Sequence, residues 1–440
     1  MTTISELSYP PELEIVPLAK PPSLTVTVPG SKSITNRALV LAALSACEGP
    51  GCTLVGALRS EDTEVMVDSL QRLGFSVEAD WGRNRIRIQD GYGARVPATT
   101  ADLFVANSGT TMRFLTAMVS LGCGRYRLDG VPRMRERPIG DLLDALTGLG
   151  VSARSEFGNG CPPVIIETSR GLPGGAVDVR ADTSSQFLSG LLMVAPFADS
   201  DVTLTVPGAM VSEPYVTMTL EMMRRWGTGL RVDRTDRGYH IPGGQWIRNP
   251  SEYVIEPDAS AASYFWAAAA ITGGRVTVTG LNRNSLQGDV RFVDVLKQMG
   301  CRVEDCEAGI TVYGGRLRGV DVDMNDISDT VMTLGAVACF AEGPTTIRNV
   351  AHIRHKETDR IAALATELRK LGAEVEERPD GLTITPRPLR GCVVDTYNDH
   401  RMAMSLALVG LKVPGVVIRN PGCVAKTYPG FWRDLESLRG

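Results

Sequence analysis

Residues His355-Lys356-Glu357-Thr358-Asp359-Arg360 put two bases, two acids, a histidine and a hydroxyl into six consecutive positions, just before the amphipathic run Ile361–Leu371. Cations can hold anionic groups, and a carboxylate among them can move a proton. The spacing predicts the first turn of a helix, with Lys356 and Arg360 four residues apart on one face. Like charges so placed cost an isolated helix roughly 0.2–0.5 kcal/mol, and the helix dipole also opposes cations at its N-terminus. A plainer alternative is a solvated turn that pairs Lys356 with Asp359 and Glu357 with Arg360. The rest of the chain has to decide between them.

Other polar clusters point the same way. Lys32 and Arg37, Arg113, and His400-Arg401 place bases where a helix is predicted to begin. Free N–H groups and a partial positive charge at a helix start, joined by Lys or Arg, make an anion site. Ser184-Ser185-Gln186 offers hydroxyls and an amide at another start, and Arg133-Met134-Arg135-Glu136-Arg137 sets three arginines before an amphipathic helix. Lys426 and the carboxylate Asp329, between Ser328 and Thr330, complete the inventory. Pro29-Gly30-Ser31-Lys32-Ser33 has the look of a phosphate loop without the Walker spacing, which argues against a nucleotide hydrolase. There is no Ser-His-Asp order and no G-x-G-x-x-G. The nine cysteines form no C-x-x-C pair, Cys47/Cys52 and Cys301/Cys306 being the closest, and with four histidines they give no zinc pattern. The chemistry this predicts is acid–base catalysis on phosphorylated or carboxylated metabolites, without a metal or other cofactor.

The elements that must position these groups repeat six times. A small polar cluster opens a strongly apolar helix at Ser31–Ser33, Asn107–Gly109, Asp182–Ser185, Asp258–Ser260, Asp326–Asp329 and Asn398–His400. Ser, Asp and Asn are N-cap residues, and helices apolar nearly all round, as at Leu188–Ala195, belong inside a domain. Two of the starts, at Asp258 and Asp326, carry no base in their opening turn. Alternating strands such as Val202–Val206, Val276–Val278 and Val417–Asn420 follow. Amphipathic helices then close on Gly74, Gly150, Gly227, Gly300 and Gly372, about 75 residues apart. An α/β fold of six units, three to a domain, follows, with the Pro/Gly-rich stretch Ile241–Pro250 as the crossover and a ligand cleft between the domains.

Length and composition agree. A chain of 440 residues exceeds one ordinary core, and 43% hydrophobic with 22% charged residues is a globular balance. A net charge of −4 gives no general attraction to nucleic acid or a membrane surface, so anion binding must be local. Met1–Pro22 carries Glu6, Glu12 and Glu14 and no signal-peptide core, and no run has the ~20 apolar residues of a membrane span. Unpatterned thiols suit a reducing compartment. The expectation is a cytoplasmic protein and a monomer.

Seven motifs in order now carry a resemblance. Pro29–Arg37 (PGSKSITNR), Asn107–Arg113 (NSGTTMR), Pro132–Gly140 (PRMRERPIG), Ser184–Leu188 (SSQFL), Lys356–Arg360 (KETDR), Asn398–Met404 (NDHRMAM) and Ala425–Thr427 (AKT) resemble the 5-enolpyruvylshikimate-3-phosphate synthase family of enolpyruvyl transferases. The resemblance implies a two-domain inverse α/β barrel-like fold of six copies. Residues 1–25 plus 250–440 would form one discontinuous domain with the KETDR, NDHR and AKT motifs, and 26–249 the other, the active site lying in the cleft. It implies transfer of the enolpyruvyl group of phosphoenolpyruvate to the 5-hydroxyl of shikimate 3-phosphate, with phosphate released through a tetrahedral intermediate. That step lies on the shikimate pathway to chorismate and the aromatic amino acids, and the family is the target of glyphosate.

By motif matching, shikimate 3-phosphate would be held by Lys32, Ser33, Arg37, Ser184, Ser185, Gln186, Ser212, Tyr215, Asp329, His352 and Lys356. Phosphoenolpyruvate would be held by Lys32, Gly109, Arg137, Gln186, Arg360, Arg401 and Lys426. Asp329 matches the base toward the 5-hydroxyl and Glu357 the acid for the methylene carbon, with Lys32 and Lys426 also in the catalytic set. Four positions depart from the familiar pattern: His352 stands for Asn, Ser108 for Ala, Phe114 for Pro and Glu213 for Lys. The charge of His352 is expected to vary near pH 6–7. The alternatives are the related transferase acting on UDP-N-acetylglucosamine, disfavoured because no cysteine has basic company, and a non-catalytic binder of anionic metabolites, disfavoured by intact Asp329 and Glu357.

Overall fold

A computed structural model describes residues 8–45, 51–89, 93–226 and 230–440. Gly227, Cys47 and Glu6, used above, lie outside the described residues. The chain divides into two compact units: a continuous one, Gly30–Ile255, and a split one, Met1–Pro29 with Glu256–Gly440.

The continuous unit holds helices α1 (Lys32–Leu44), α2 (Glu61–Arg72), α3 (Gly109–Met118), α4 (Gly140–Gly148), α5 (Ser185–Val194) and α6 (Glu213–Trp226). The split unit holds α7 (Ala259–Thr272), α8 (Phe292–Gln298), α9 (Val331–Ala338), α10 (Arg360–Leu371), α11 (His400–Gly410) and α12 (Phe431–Glu436). The six apolar helices of the sequence are α1, α3, α5, α7, α9 and α11, and each is buried along almost its whole length. Ser31, Ser108, Ser184, Asp258 and Asp399 cap five of them, each accepting from a backbone N–H of the first turn. The amphipathic helices end where Gly74, Gly150, Gly300 and Gly372 take positive φ, between 91° and 111°.

The repeat is also a repeat of sheets. Thr100–Phe104 runs parallel to Gly124–Asp129, with α3 between them, and α4 then leads to an antiparallel hairpin of Ser152–Ser155 and Val164–Thr168 on the same sheet. Among the described residues five four-stranded sheets share this order, and a sixth has three strands. Two first strands come from afar. Glu252–Val254 pairs parallel with Cys52–Val55, which keeps the chain up to Ile255 in the continuous unit. Ser23–Val26 pairs parallel with Arg275–Thr279, which gives the N-terminal strand to the split unit. Each sheet places its buried helix with the N-terminal end just after a strand, where a polar loop can collect.

The split unit's core is continuous across α7, α9 and α11 and includes an aromatic cluster. Phe265 sits 6.4 Å from the ring centres of both Tyr428 and Phe431 and is fully buried. Phe265→Ala should cost about 3–5 kcal/mol, read as a lower urea midpoint. A midpoint that does not move would show the cluster to be unimportant for stability.

Candidate active site

In the continuous unit the starts of α1, α3 and α5 are tied together by buried polar groups. Arg113 of α3 donates to the Gln186 side-chain oxygen of α5 at 3.0 Å and to the carbonyls of Gly109 and Pro138. The Gln186 amide donates in turn to Thr110 at 3.3 Å, so its orientation is fixed from both ends. Arg137 follows the short helical turn Pro132–Glu136, is 4% exposed, and donates to the Asn107 carbonyl at 2.9 Å. A Cβ added to Gly109 would lie 2.5 Å from Arg113 Nη1 and 2.5 Å from Arg137 Nη2. Only glycine leaves both guanidinium groups where they are.

Arg37 lies deeper. It is 1% exposed, donates to Thr219 at 2.7 Å, Ser33 O, Ser189 and Tyr215 O, and rests over the Phe114 ring at 5.0 Å. All these hydrogen-bond partners are neutral. Burial pushes its guanidinium down to about 10, so it remains a cation at neutral pH. Lys32, the first residue of α1, is 3.3 Å from Asp62. Ser184 caps α5, Ser185 is that helix's first residue, and Ser212 is held at φ 53° just before α6, where its carbonyl accepts from Tyr215 N.

The split unit collects charge differently. Arg360, the first residue of α10, is 1% exposed and donates to three carboxylates: Asp399 at 2.8 Å, Glu357 at 2.9 Å and Asp329 at 3.1 Å. Burial alone would lower its pKa, but Asp399, Glu357 and Asp329 together hold it raised. Arg401 donates to Asp329 at 2.7 Å, and Lys426 lies 3.8 Å from Glu357, both buried. Asp399 does two things at once, capping α11 through Arg401 N at 2.9 Å while it fixes Arg360.

The structure changes the local reading of the KETDR run. Ala351–His355 is a tight helical turn, Lys356 is extended, Asp359 is the N-cap, and α10 starts only at Arg360. Lys356 and Arg360 therefore do not share a helix face. Neither is the run a solvated turn: Asp359 pairs with Arg354 at 2.8 Å, and the Glu357–Arg360 pair is buried. Arg360 is tolerated at a helix start because the protein's own carboxylates surround it.

Of the three arginines near Pro138, only Arg137 points inward. Arg133 pairs with Glu136 and Arg135 with Asp129, in part at the surface. The departures from the family pattern also find places. Ser108 caps α3, Phe114 lies under Arg37, and Glu213 pairs with Arg234 in the open. Arg113, one of the bases expected at a helix start, holds Gln186, whereas Asp399, Asp62, Thr219 and Ser189 join these clusters without having been singled out by the sequence as site residues. The sequence marked Asp399 as part of a helix cap, but its pairing with Arg360, 39 positions away, is a product of the fold, and Thr219 and Ser189 left no signal.

His352 is a correction. It is 4% exposed, with Nε2 2.9 Å from Ser328 Oγ. Burial, with Lys356 and Arg360 adding to it, pushes its imidazole down to about 3, so the ring is neutral where titration was expected. The unfolded chain therefore binds the extra proton between about 3 and the ordinary 6.5, and stability falls as pH falls through that window. His352→Asn should make the loss of urea stability from about pH 7 to about pH 4.5 shallower. Equal losses in the two proteins would mean that the folded chain accepts the proton.

Among the described residues no helix is long and apolar enough to cross a membrane. The family model for EPSP synthase (3-phosphoshikimate 1-carboxyvinyltransferase) matches residues 19–435. A 3-phosphoshikimate 1-carboxyvinyltransferase of Nostoc punctiforme is 49% identical over 421 residues, covering 96% of this chain and 97% of that protein. The chloroplastic enzyme of that name from Arabidopsis thaliana is 45% identical over 456 residues, covering 100% and 86%. An EPSP synthase structure from Acinetobacter baumannii superposes with a TM-score of 0.80 at 27% identity, covering 97% of each chain. With the repeated fold and both polar clusters in place, the chain belongs to the EPSP synthase family.

Proposed function

We propose that this protein is an enzyme that transfers the carboxyvinyl group of phosphoenolpyruvate to the 5-hydroxyl of shikimate 3-phosphate and releases phosphate. The observation that carries the reading is Glu357, a buried carboxylate that accepts from Arg360 at 2.9 Å and lies 3.8 Å from Lys426, with Asp329 on the other side of the same arginine. Two carboxylates among fixed cations supply an acid and a base beside groups that hold anions. The family model and both relatives bear the phosphoshikimate name, which favours this over the UDP-N-acetylglucosamine reaction and over a non-catalytic binder.

Phosphoenolpyruvate is held by Lys32, Gly109, Arg137, Gln186, Arg360, Arg401 and Lys426. Shikimate 3-phosphate is held by Lys32, Ser33, Arg37, Ser184, Ser185, Gln186, Ser212, Tyr215, Asp329, His352 and Lys356. Arg37 supplies a buried cation whose protein partners are neutral oxygens, so its charge is available to a substrate anion. Neutral His352 offers the phosphate one donor, as an amide would. Asp329 takes the proton of the 5-hydroxyl, whose oxygen bonds to C2 of phosphoenolpyruvate, and Glu357, in its protonated form once the substrates are bound, gives that proton to C3 and is left as the carboxylate. Loss of a C3 proton then expels phosphate from C2 and restores the double bond. Lys426 stands by Glu357 to take part in either transfer. A monomer is the simpler reading, and the cytoplasm suits the chain's unpatterned thiols.

Purified protein mixed with shikimate 3-phosphate and phosphoenolpyruvate should release phosphate. No release, with UDP-N-acetylglucosamine turned over instead, would overturn the reading. Glu357→Gln should lower kcat by about 10²–10⁴, the usual share of a general acid; a near-normal kcat would remove its role. Gly109→Ala should raise the phosphoenolpyruvate KM and weaken glyphosate, because the added Cβ displaces Arg137. Unchanged values for both would separate Gly109 from that substrate.

A further inference from the structure

The starts of α1, α3, α5 and α11 all carry residues assigned above to substrates. The start of α7 carries none, yet it too collects polar groups, of which Ser260, Gln287 and Asp289 are buried. Asp258 accepts from Ala261 N at 2.8 Å, and the Gln287 side-chain oxygen accepts from Ala259 N at 2.9 Å. Ser260 donates its hydroxyl to Asp289, which is 2% exposed. Ser260 Oγ is also 3.4 Å from Arg401 Nη2, the same nitrogen that donates to Asp329 at 2.7 Å.

A serine hydroxyl has one proton and two lone pairs. With the proton committed to Asp289, the lone pairs of Ser260 are left for Arg401. We propose that Asp289, acting through Ser260, is a positioning residue that sets Arg401 for phosphoenolpyruvate. This rests on the assignment of Arg401 to that substrate. Arg401 Nη2 donates to both Ser260 and Asp329. When Asp329 turns to the 5-hydroxyl, Ser260 stays as an acceptor on Nη2. Burial and the charge of Asp329 push the Asp289 carboxyl up to about 6. Tyr264, one turn further along α7, is fully buried and also feels the charge of Arg401, so this face of α7 stands against the arginine.

The test is steady-state kinetics with thermal unfolding as a control. Ser260→Ala and Asp289→Ala should each raise the phosphoenolpyruvate KM about tenfold, the scale of one hydrogen bond to a charged group, while the shikimate 3-phosphate KM stays put. Ser260→Thr, which keeps the hydroxyl, and Asp289→Asn, whose amide oxygen still accepts, should restore most of that loss. In a Ser260→Ala background, Asp289→Ala should add no more than about twofold. If Asp289→Ala does not fold, Ser260→Ala against Ser260→Thr carries the test, since only one atom is removed. The proposal is overturned if both KM values rise together, if neither moves, or if Asp289→Ala has its full effect without Ser260. An unmodified protein that does not turn over the two substrates would overturn the functional reading itself and this proposal with it.

Discussion

The buried Arg360 guanidinium is the interaction on which the split unit's polar architecture depends. A guanidinium taken out of water costs several kcal/mol unless its charge and its donors are matched. Here Asp399, Glu357 and Asp329 match it from three different segments. Asp399 is at the same time the cap of α11, so the helix start that carries Arg401 is fixed by the same carboxylate that fixes Arg360. Removing any one of the three leaves a buried charge short of a partner, a change that typically costs 3–5 kcal/mol. The cluster is therefore a structural necessity as well as a reactive one, and its geometry is set before any substrate arrives.

The continuous unit solves the opposite problem. Arg37 and Arg137 are buried with donors directed at neutral oxygens, in Arg37's case at Thr219, Ser189 and two carbonyls. Neutral acceptors fix a guanidinium in place without cancelling its charge. The result is a cationic surface held rigidly by polar groups, suited to an anion that brings its own negative charge. The buried Arg360 is matched by carboxylates, whereas the buried Arg37 is held by neutral oxygens, a difference between copies of one repeat filled with different residues.

Most of the architecture was legible in the sequence because it rests on local physics. A cap such as Ser31 or Asp258 followed by a run of apolar residues specifies a buried helix start, and a glycine such as Gly300 or Gly372 specifies its amphipathic partner's end. The pairing of Ser23–Val26 with Arg275–Thr279 joins residues some 250 positions apart, which no local pattern encodes; it came only through the resemblance. The helix expected from His355 failed for a related reason. Spacing alone cannot tell that Asp359 would cap Ala362 and be drawn off by Arg354, which delays the helix to Arg360. The low imidazole pKa of His352 was hidden too, because burial is a property of the fold.

The repeat also explains why the site residues gather at helix starts. Each copy delivers a buried helix whose first N–H groups need acceptors, and each copy can answer that need with a side chain or with a ligand. At α7 the answer is internal: Asp258 and the Gln287 oxygen accept from first-turn N–H groups, and Ser260 donates to Asp289. At α11, Asp399 takes Arg401 N but leaves the arginine side chains facing carboxylates that can exchange partners. An acceptor such as Asp329, shared by Arg360 and Arg401, can be replaced by a phosphate or carboxylate oxygen with little rearrangement of either arginine. On the proposed reading, an exchange of that kind would free the same carboxylate from its arginines for a hydroxyl proton and so tie the binding of one substrate to the activation of the other.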